Sequence, residues 1–505
     1  MQLLNLYIED YKVLQQFNIQ FSEEFSVDDS LNVIIGKNGA GKTTLIECLL
    51  KIFSSLYSCN KVEDVSKITN KKLGFQFTLS YFIRTEKIIE AASTFSEHKV
   101  DYVKITLSNI NKEWFILEYE NKKLINQDVN NFLFKSQYTL QDLLPKNTVL
   151  YYAGFDSRLS GFVQNYTSDY FKEWFTFLEN DSKGLDINAP VFYFNPIQFN
   201  LLLFSIFCNQ SSDIAVFFKD KFGIVGFTEV VLKLKMPTWH RSNPASEYWG
   251  AKGILKEALL KFEKASQDTE VLKRSITHSY FIPDVLIGLV GFRSEDSFTS
   301  EKEVFQSLVA LDVMGLLDEI QITLVKETDG INSEISSQDL SEGEKQLISI
   351  YGLKQILSSN EESLFLFDEP DTFLHPKWKK EFFKNIYYDQ QNTKIHYGDF
   401  DIITTHSPEI IGNIDLNTSL KRLVDGKIYD SPLYVKGRDY NSILYEAFDS
   451  VKRGEFGREL IDEFYKLLES KQVELAKQKL DEIINTFGLD DIETQKAIDN
   501  FDDYN

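Results

Sequence analysis

Residues 31–47 read LNVIIGKNGAGKTTLIE. The apolar run at 33–35 predicts a buried strand, and the apolar pair at 45–46 predicts that a helix follows the glycine-rich segment. The pattern GxxxxGKT at 36–43, between a strand and a helix, is typical of a phosphate-binding loop. Its glycines let successive backbone N–H groups point at one anion, and the helix N-terminus adds partial positive charge.

The loop pattern predicts roles for two side chains, Lys42 and Thr43. Lys42 reaches the β- and γ-phosphates of a nucleoside triphosphate, and Thr43 supplies a hydroxyl to Mg²⁺. The predicted nucleotide-binding residues of the loop are Gly36, Asn38, Gly39, Ala40, Gly41, Lys42, Thr43 and Thr44.

Composition indicates a large folded chain with an acidic surface. At 505 residues, one domain per about 150 residues suggests about three folded units, and the hydrophobic content of 43% is enough for large cores. The formal net charge of −22 argues against nucleic-acid binding over the whole surface, because phosphate contacts need concentrated Lys and Arg. It favours a basic protein partner and leaves a local basic groove open.

Cysteine usage and the N-terminus predict a cytoplasmic protein. Cys48, Cys59 and Cys208 show no metal-binding spacing, which fits a reducing compartment. The first residues lack the basic start and apolar core of a signal peptide. The longest apolar run, 201–208, is too short to span a bilayer, so we expect no membrane contact.

Strand and helix patterns divide the chain into four predicted parts. Alternating segments before residue 155 predict antiparallel strands with one solvated face. Helical spacing then predominates, although 230–236 and 321–326 read as strands, and strand character returns at 363–367 and 400–405. The parts are an N-terminal core segment (1–155), a mostly helical insertion (156–335), a C-terminal core segment (336–445) and an acidic helical tail (446–505).

The tail combines amphipathic faces with negative charge. Apolar residues recur at helical spacing in 460–468 and 473–487, which predicts a helical hairpin. The last 25 residues hold eight acidic side chains and one basic one, Lys496. This charge is either a solvated face or a docking surface for a basic partner.

Two further apolar strands end in chemically active side chains. Residues 363–367 lead into Asp368, which would hold Mg²⁺ with Thr43, and Glu369, which would polarise the water that attacks the γ-phosphate. A structural acidic strand end is the simpler alternative. Residues 402–405 lead into His406, which can donate a hydrogen bond to the γ-phosphate and detect its presence. We predict Glu369 and His406 as catalytic residues.

A fourth stretch, LSEGEKQ at 340–346, precedes an apolar helix. Ser341 is a candidate N-cap and Glu344 follows three residues later, which is the capping-box pattern. The simplest interpretation is a well-capped helix. The alternative is a second anion-binding helix terminus, where Gly343 allows a phosphate to approach closely.

Together these stretches resemble the ABC-type AAA ATPases of the RecF, SMC and OLD class. Residues 340–346 are similar to the family's signature motif, and 368–376 are similar to its extended Walker B motif and D-loop, which adds Asp371 to the nucleotide-binding set. The resemblance implies an α/β fold: an ABC-ATPase core with a mixed sheet and an antiparallel β lobe, a largely helical insertion and a C-terminal helical hairpin. It also implies that ATP is sandwiched between two subunits, the phosphate loop of one facing Ser341 and Gly343 of the other.

Weaker motifs resemble a narrower group, the PtuA-like ATPase subunits of Septu and retron antiphage defence systems. These motifs are 144–154, 437–444 and the acidic C-terminal helices. The resemblance implies a homodimer or higher homo-oligomer, a small HNH-type nuclease partner, and slow, regulatory hydrolysis of ATP to ADP and phosphate. ATP-dependent dimerisation would gate the nuclease.

The chain departs from the cassette pattern at one junction. The family usually has a glutamine there that contacts Mg²⁺ and the attacking water, whereas residues 154–158 read GFDSR. Gln76 and Gln164 are candidate substitutes, neither well placed. Tyr11 and Lys12 match the position at which relatives contact the adenine or the phosphates.

Three other functions compete with the gated-nuclease interpretation. A RecF- or SMC-like DNA repair ATPase would bind DNA itself through a basic groove, although SMC-type heptad arms are not present in the sequence. A transporter subunit has no use for so long an insertion, and an OLD-like nuclease needs a longer tail with an acidic cluster. The candidate groove, alternatively an exposed strand face and turn, is Lys233, Lys235, Trp239, His240 and Arg241.

Overall fold

The computed structural model separates the chain into two compact units, Met1–Gly437 and Arg438–Asn505. The predicted junction residues 155–158, Gln164, His240 and Arg241 lie outside the described residues, as do two positions of the 437–444 motif. The structure describes residues 1–26, 30–59, 61–68, 73–94, 96, 100–110, 112–154, 159, 161, 163, 190–208, 212–239, 247–281, 289–290, 297–358, 362–388, 399–414, 418–429, 435–438, 440, 442–444 and 454–504.

The described strands all lie in the first unit, which also contains helices, and the second unit is helical. In chain order, the strands are β1 (Gln2–Tyr11), β2 (Leu14–Gln20), β3 (Leu31–Ile35), β4 (Phe77–Ile83), β5 (Val103–Ser108), β6 (Phe115–Tyr119), β7 (Lys122–Ile125), β8 (Asn147–Tyr152), β9 (Val191–Phe194), β10 (Ile224–Lys235), β11 (Asp268–Leu272), β12 (Ser275–Tyr280), β13 (Leu317–Thr328), β14 (Ile331–Ser336), β15 (Ser363–Asp368), β16 (Phe400–Thr405), β17 (Ser419–Val424) and β18 (Lys427–Tyr429).

The helices are α1 (Lys42–Tyr57), α2 (Val62–Val65), α3 (Glu86–Thr94), α4 (Gln127–Ser136), α5 (Phe199–Phe207), α6 (Ser212–Phe222), α7 (Gly253–Ala265), α8 (Glu301–Val313), α9 (Glu342–Leu357), α10 (Pro376–Lys380), α11 (Phe382–Tyr387), α12 (Pro408–Ile411), α13 (Glu455–Glu469), α14 (Val473–Phe487) and α15 (Ile492–Tyr504).

A seven-stranded sheet in the order β18-β17-β3-β16-β15-β8-β9 forms the centre of the first unit. Its pairs are parallel except for β17 with β18. Every residue of β3, β15 and β16 is buried, because these apolar strands are covered on both faces. Their register pairs Asp368 with Thr404, and Thr405 with Ile35, so their carboxyl ends meet at one edge of the sheet.

The predicted antiparallel lobe is a six-stranded sheet in the order β2-β1-β4-β5-β6-β7. One apolar core joins this lobe to α1 and to the central sheet, with members such as Phe17, Phe53, Tyr81 and Leu366. The mixed α/β architecture with an antiparallel β lobe, predicted for an ABC-ATPase core, is thereby confirmed.

The insertion contains a sheet as well as helices. Strands β10 to β14 form a five-stranded antiparallel sheet in the order β11-β12-β10-β13-β14, beside helices α5 to α8. The prediction of a largely helical segment identified 230–236 and 321–326 as strands but missed the other strands of this sheet. Two of those, β11 and β14, are edge strands that are mostly exposed, so they lack the alternation of a half-buried strand.

Helices α13, α14 and α15 lie in the second unit. The predicted hairpin corresponds to α13 and α14, and α15 adds a third helix to their core through Ala497 and Phe501. The other core residues are Leu460, Phe464, Leu468, Ala476, Leu480 and Ile483. Among the described residues of both units, no helix is both long and apolar enough to cross a membrane.

Candidate nucleotide-binding site

The predicted phosphate loop lies between the buried strand β3 and helix α1. Gly41 is the N-cap of α1 and has φ +114°, a conformation that side chains disfavour. A Cβ at this position would also lie 2.9 Å from side-chain atoms of Val13 and Leu14. The loop therefore requires glycine at residue 41 for both backbone and packing reasons.

The Lys42 ammonium lies across the loop. Its Nζ donates to the carbonyl oxygens of Gly36, at 2.8 Å, and Lys37, at 3.2 Å, and lies 3.2 Å from Nδ1 of His406. Burial lowers the pKa of Lys42, while the nearby carboxylates of Glu369 and Asp368 oppose this shift. A cation is thus held where the phosphates of a nucleotide would need one.

Thr43, in the first turn of α1, contacts Asp368 at the end of β15. Thr43 Oγ1 donates to Asp368 Oδ2 at 2.6 Å, and the hydroxyl of Thr404 donates to the other carboxylate oxygen. Burial raises the pKa of Asp368, which is fully buried. A buried carboxylate beside a hydroxyl is the oxygen donor set that Mg²⁺ prefers, so these residues fit the predicted ion.

Glu369 and His406 form a direct pair. Glu369 Oε1 lies 2.5 Å from His406 Nε2, and both side chains are about one-third exposed. The hydrogen bond lowers the pKa of Glu369 and raises that of His406. Glu369 has φ +53°, and its N–H donates to the carbonyl of Thr404 at 3.0 Å, so the turn after β15 is fixed to β16.

Asp371 is buried and bonded within its own chain. Thr405 Oγ1 donates to Asp371 Oδ1 at 2.9 Å, and Lys379 Nζ lies 3.5 Å from Oδ2. Burial raises the pKa of Asp371 against the pull of Lys379. The contacts observed fix the D-loop to β16, and the nucleotide-binding role of Asp371 stays a prediction.

Ser341 and Gly343 begin helix α9. Ser341 Oγ accepts from the N–H of Glu344 at 3.2 Å, and Glu344 Oε2 accepts from the N–H of Ser341 at 2.8 Å, which is the predicted capping box. A Cβ on Gly343 would lie 2.8 Å from the carbonyl oxygen of Phe373, so this glycine has a packing role within its own chain. A cavity of about 580 Å³ opens here, lined by Ser341, Glu342, Gly343, Phe373, His375 and Trp378.

Sequence reasoning missed Gln346, which joins helix α9 to the segment after β15. Its Oε1 accepts from the N–H of Phe373 at 2.9 Å. At the junction where the family glutamine is expected, the N–H of Ala153 donates to the carbonyl of Asp368 at 3.3 Å. The backbone carbonyl of Gln76 accepts from Glu9 in the antiparallel lobe.

Tyr11 and Lys12 contact helix α1. The Tyr11 hydroxyl donates to Glu47 Oε1 at 2.6 Å, and Lys12 forms an ion pair with the same carboxylate. Lys51 Nζ donates to the Tyr11 hydroxyl at 2.6 Å. Glu47 and Lys51 lie at helical spacing one turn apart, a signal that the sequence carries but the prediction did not use.

The described members of the candidate basic groove are paired with carboxylates or backbone. Lys233 lies 3.3 Å from Glu319, and Lys235 lies 3.4 Å from Asp318. Trp239 Nε1 donates to the carbonyl of Met314 at 2.8 Å. This part of the strand face therefore presents charges of both signs, as in the alternative interpretation.

Comparisons with known proteins agree with the geometry of the loop. Residues 132–412 match the family described as "AAA domain, putative AbiEii toxin, Type IV TA system", and residues 1–180 match an "AAA ATPase domain". The chain is also 24% identical over 210 residues to the "Retron Ec83 probable ATPase" of Escherichia coli. That match spans 39% of this chain and 37% of the relative, so the chain covers little more than a third of the relative's length.

Among solved structures, SMC head domains are similar at low scores. The head domain of Pyrococcus furiosus bound to the C-terminal domain of ScpA is 12% identical, with a TM-score of 0.32, covering 85% of this chain and 96% of that one. The head domain of Thermotoga maritima is 13% identical, with a TM-score of 0.31, covering 86% and 100%. The match to the family described as "AAA domain, putative AbiEii toxin, Type IV TA system" covers more than half of the sequence, and the chain therefore belongs to this family.

Proposed function

We propose that the chain is an ATPase that regulates an antiphage defence complex, and that its ATP-dependent dimerisation gates a partner nuclease. The observation that carries the ATPase part is the meeting of four side chains at one sheet edge. Lys42 begins helix α1 after the loop that follows β3, and Asp368, Glu369 and His406 lie at the ends of the adjacent strands β15 and β16. These side chains bond to one another or to their neighbours. These are the groups that phosphoryl transfer to water requires.

The geometry supports a specific order of events during hydrolysis. Lys42 and the loop N–H groups hold the phosphates, and Thr43 and Asp368 would hold Mg²⁺, which when bound neutralises phosphate charge. Glu369 is a carboxylate already bonded to His406, so it must exchange that partner for the attacking water. A γ-phosphate gives His406 an alternative acceptor, and its arrival therefore frees Glu369.

The dimeric part of the proposal rests on helix α9. A helix N-terminus attracts anions, and Ser341 places a hydroxyl there beside an open cavity. In the resemblance to RecF- and SMC-type ATPases, this terminus meets the nucleotide bound by a second subunit. The proposed site therefore combines Lys42 of one chain with Ser341 of another, in a homodimer or a higher oligomer.

The defence part rests on the retron ATPase relative and on the motifs similar to PtuA-like subunits of Septu systems. The partner would be a small HNH-type nuclease in the cytoplasm, and the net charge of −22 favours a basic surface on it. The alternative, a RecF- or SMC-like ATPase that binds DNA directly, gains no support from Lys233 and Lys235, since both are paired.

Glu369→Gln tests the ATPase part. We expect this variant to lose turnover by at least about a hundredfold while it keeps ATP, so that native mass spectrometry shows ATP-bound dimers. Glu409→Gln is the control, because the Glu409 carboxylate accepts a hydrogen bond from the Ser407 hydroxyl rather than from the phosphate loop. Turnover equal to the wild type in Glu369→Gln would reject the assignment of the base.

Incubation with DNA tests the separate nuclease. We expect the highly purified chain to leave linear duplex DNA uncut in the presence of ATP and Mg²⁺, because the proposal assigns cleavage to another protein. Metal-dependent cutting that co-purifies with the chain and persists through successive columns would reject this part, while leaving the ATPase assignment intact.

A further inference from the structure

Helices α5 and α6 of the insertion pack against the interior of helix α9. On α5, Ile206 and Leu202 approach so closely that a Cβ on Gly352 would lie 2.4 Å and 3.2 Å from their side-chain atoms. On α6, the ring of Phe217 stacks on Tyr351 at 3.8 Å and 13°. The interior of α9 is therefore held by the insertion through apolar packing.

Helix α6 also holds the segment after the D-loop. Phe222 contacts Trp378 edge to face at 5.7 Å, and Lys221 donates to Glu381 at 2.6 Å. Trp378 lines the same cavity as Ser341. A movement of the insertion would therefore shift both the Ser341 side and the Trp378 side of the cavity.

One polar contact joins the inserted sheet to the start of α9. Lys326, on strand β13, donates from Nζ to Glu344 Oε1 at 2.9 Å, with the two side chains 30% and 14% exposed. The other carboxylate oxygen, Oε2, accepts from the N–H and the hydroxyl of Ser341 at 2.8 and 2.9 Å. A single carboxylate thus connects the sheet to the serine.

The orientation of this carboxylate determines what the Ser341 hydroxyl can do. Burial raises the pKa of Glu344, but hydrogen bonds from Lys326 and Ser341 lower it overall, so the group stays ionised. Without Lys326, one oxygen loses its charged donor and the carboxylate can rotate towards water. Ser341 would then lose the acceptor that fixes its hydroxyl.

We infer that Lys326 is a positioning residue of the composite site, which transmits the position of the inserted sheet through Glu344 to Ser341. The inference rests on the proposed dimeric site and adds a route for its regulation. A displacement of β13, by a ligand or partner bound to the insertion, changes how well Ser341 meets the nucleotide of the other chain.

The test compares Lys326→Met with a neighbouring control. Lys219→Met removes an ion pair with Glu327, the next residue of β13, whose 3.3 Å contact is more exposed and does not involve the cap. Lys326→Arg keeps a charged donor for Glu344. Hydrogen exchange of the peptide that contains Ser341 is measured on the nucleotide-free chain, and ATP-dependent dimerisation is measured by sedimentation.

We expect Lys326→Met to speed exchange at this peptide and to raise the dimer dissociation constant about tenfold, with unchanged ATP affinity of the single chain. Lys219→Met should match the wild type, and Lys326→Arg should restore both readouts. Unchanged exchange in Lys326→Met, or equal effects in Lys219→Met, overturns the positioning role. Failure of the wild type to dimerise with ATP overturns the proposed function instead, and the exchange result shows which of the two has failed.

Discussion

Replacing Lys354 with methionine is expected to destabilise the first unit strongly. Lys354 is buried near the end of α9, with Nζ 2.9 Å from Asp399 and 3.0 Å from Asp401 at the start of β16. The aromatic ring of Phe365 lies 4.1 Å from the same ammonium. Methionine keeps much of the apolar stem but leaves two carboxylates in the interior without their cation.

The size of the effect follows from the burial of all three charged groups, none of which is more than 3% exposed. Removing one partner from a buried ion pair costs about 3–5 kcal/mol, because the remaining charge is left without compensation. The control is Lys235→Met, which breaks an ion pair whose side chains are about half exposed. Such an exposed pair contributes at most about 1 kcal/mol.

The penalty should depend on pH. Burial raises the pKa of Asp399 to about 6, above its unfolded value of about 3.9, and Lys354 opposes that shift. An acid with a raised native pKa stabilises the fold below its unfolded pKa, and this contribution is lost as the pH rises through about 6. Removing Lys354 raises that pKa further, so the penalty is largest near pH 8 and shrinks towards pH 5.

Urea denaturation followed by tryptophan fluorescence measures the difference at both pH values. We expect a lower midpoint for Lys354→Met than for Lys235→Met at pH 8, and a partial recovery at pH 5. Equal midpoints for the two variants at pH 8 would show that the buried cluster is not the source of stability. If Lys354→Met lost the same free energy of unfolding at pH 5 as at pH 8, the reasoning from the ionisation of Asp399 would be refuted.

Two other predictions concern the site. Gly343→Ala places a Cβ 2.8 Å from the carbonyl of Phe373, so the D-loop must shift, and we expect kcat to fall about tenfold with unchanged nucleotide affinity of the single chain. His406 should titrate above about 6.5 in an NMR experiment, because Glu369 accepts its hydrogen bond, and Glu369→Gln should lower that pKa. The stabilising contribution of this pair is present between about pH 4.3 and about pH 6.5, and it is lost as the pH rises through the raised pKa of His406 or falls through the lowered pKa of Glu369.

Each of these predictions has a contrary outcome. Wild-type kcat in Gly343→Ala would show that the D-loop tolerates the shift. A His406 titration that does not respond to Glu369→Gln would show that the pair does not form in solution.

The phosphate loop was predictable because its information is local. The buried strand, the glycines and Lys42 lie within one stretch, and strand–turn–helix is the structure observed. Asp368 lies 325 residues from its partner Thr43, and Lys42 lies 364 residues from His406, but their predicted roles follow from the chemistry of the strand ends. The parallel register of β3, β16 and β15 then brings those ends together.

Contacts that depend on register between distant strands could not be predicted. Lys233 and Lys235 read as a basic stripe in sequence, and only the pairing of β10 with β13 shows that Glu319 and Asp318 lie opposite them. The link from Lys326 on β13 to Glu344 on helix α9 could not be predicted either, because it depends on how the helix packs against the sheet after β14 and a turn.

The tail was predicted to be helical, but the packing of a third helix against the hairpin was missed for a different reason. Helix α15 contributes few apolar residues to the core, chiefly Ala497 and Phe501, and several acidic side chains surround them. Its amphipathic signal is therefore weaker than that of α13 and α14. The prediction therefore extended helix to the end of the tail without the contacts of Ala497 and Phe501 with the other two helices.

The central claim is that each ATP site combines two chains, and mixing two inactive variants tests it most directly. Lys42→Ala removes the ammonium of the loop, and Ser341→Arg blocks the start of α9, so each variant alone should not hydrolyse ATP. In a twofold-symmetric dimer, an equal mixture forms hybrids with one intact composite site, and ATP turnover should return to about a quarter of the wild-type value. A mixture as inactive as its two components would contradict the composite site.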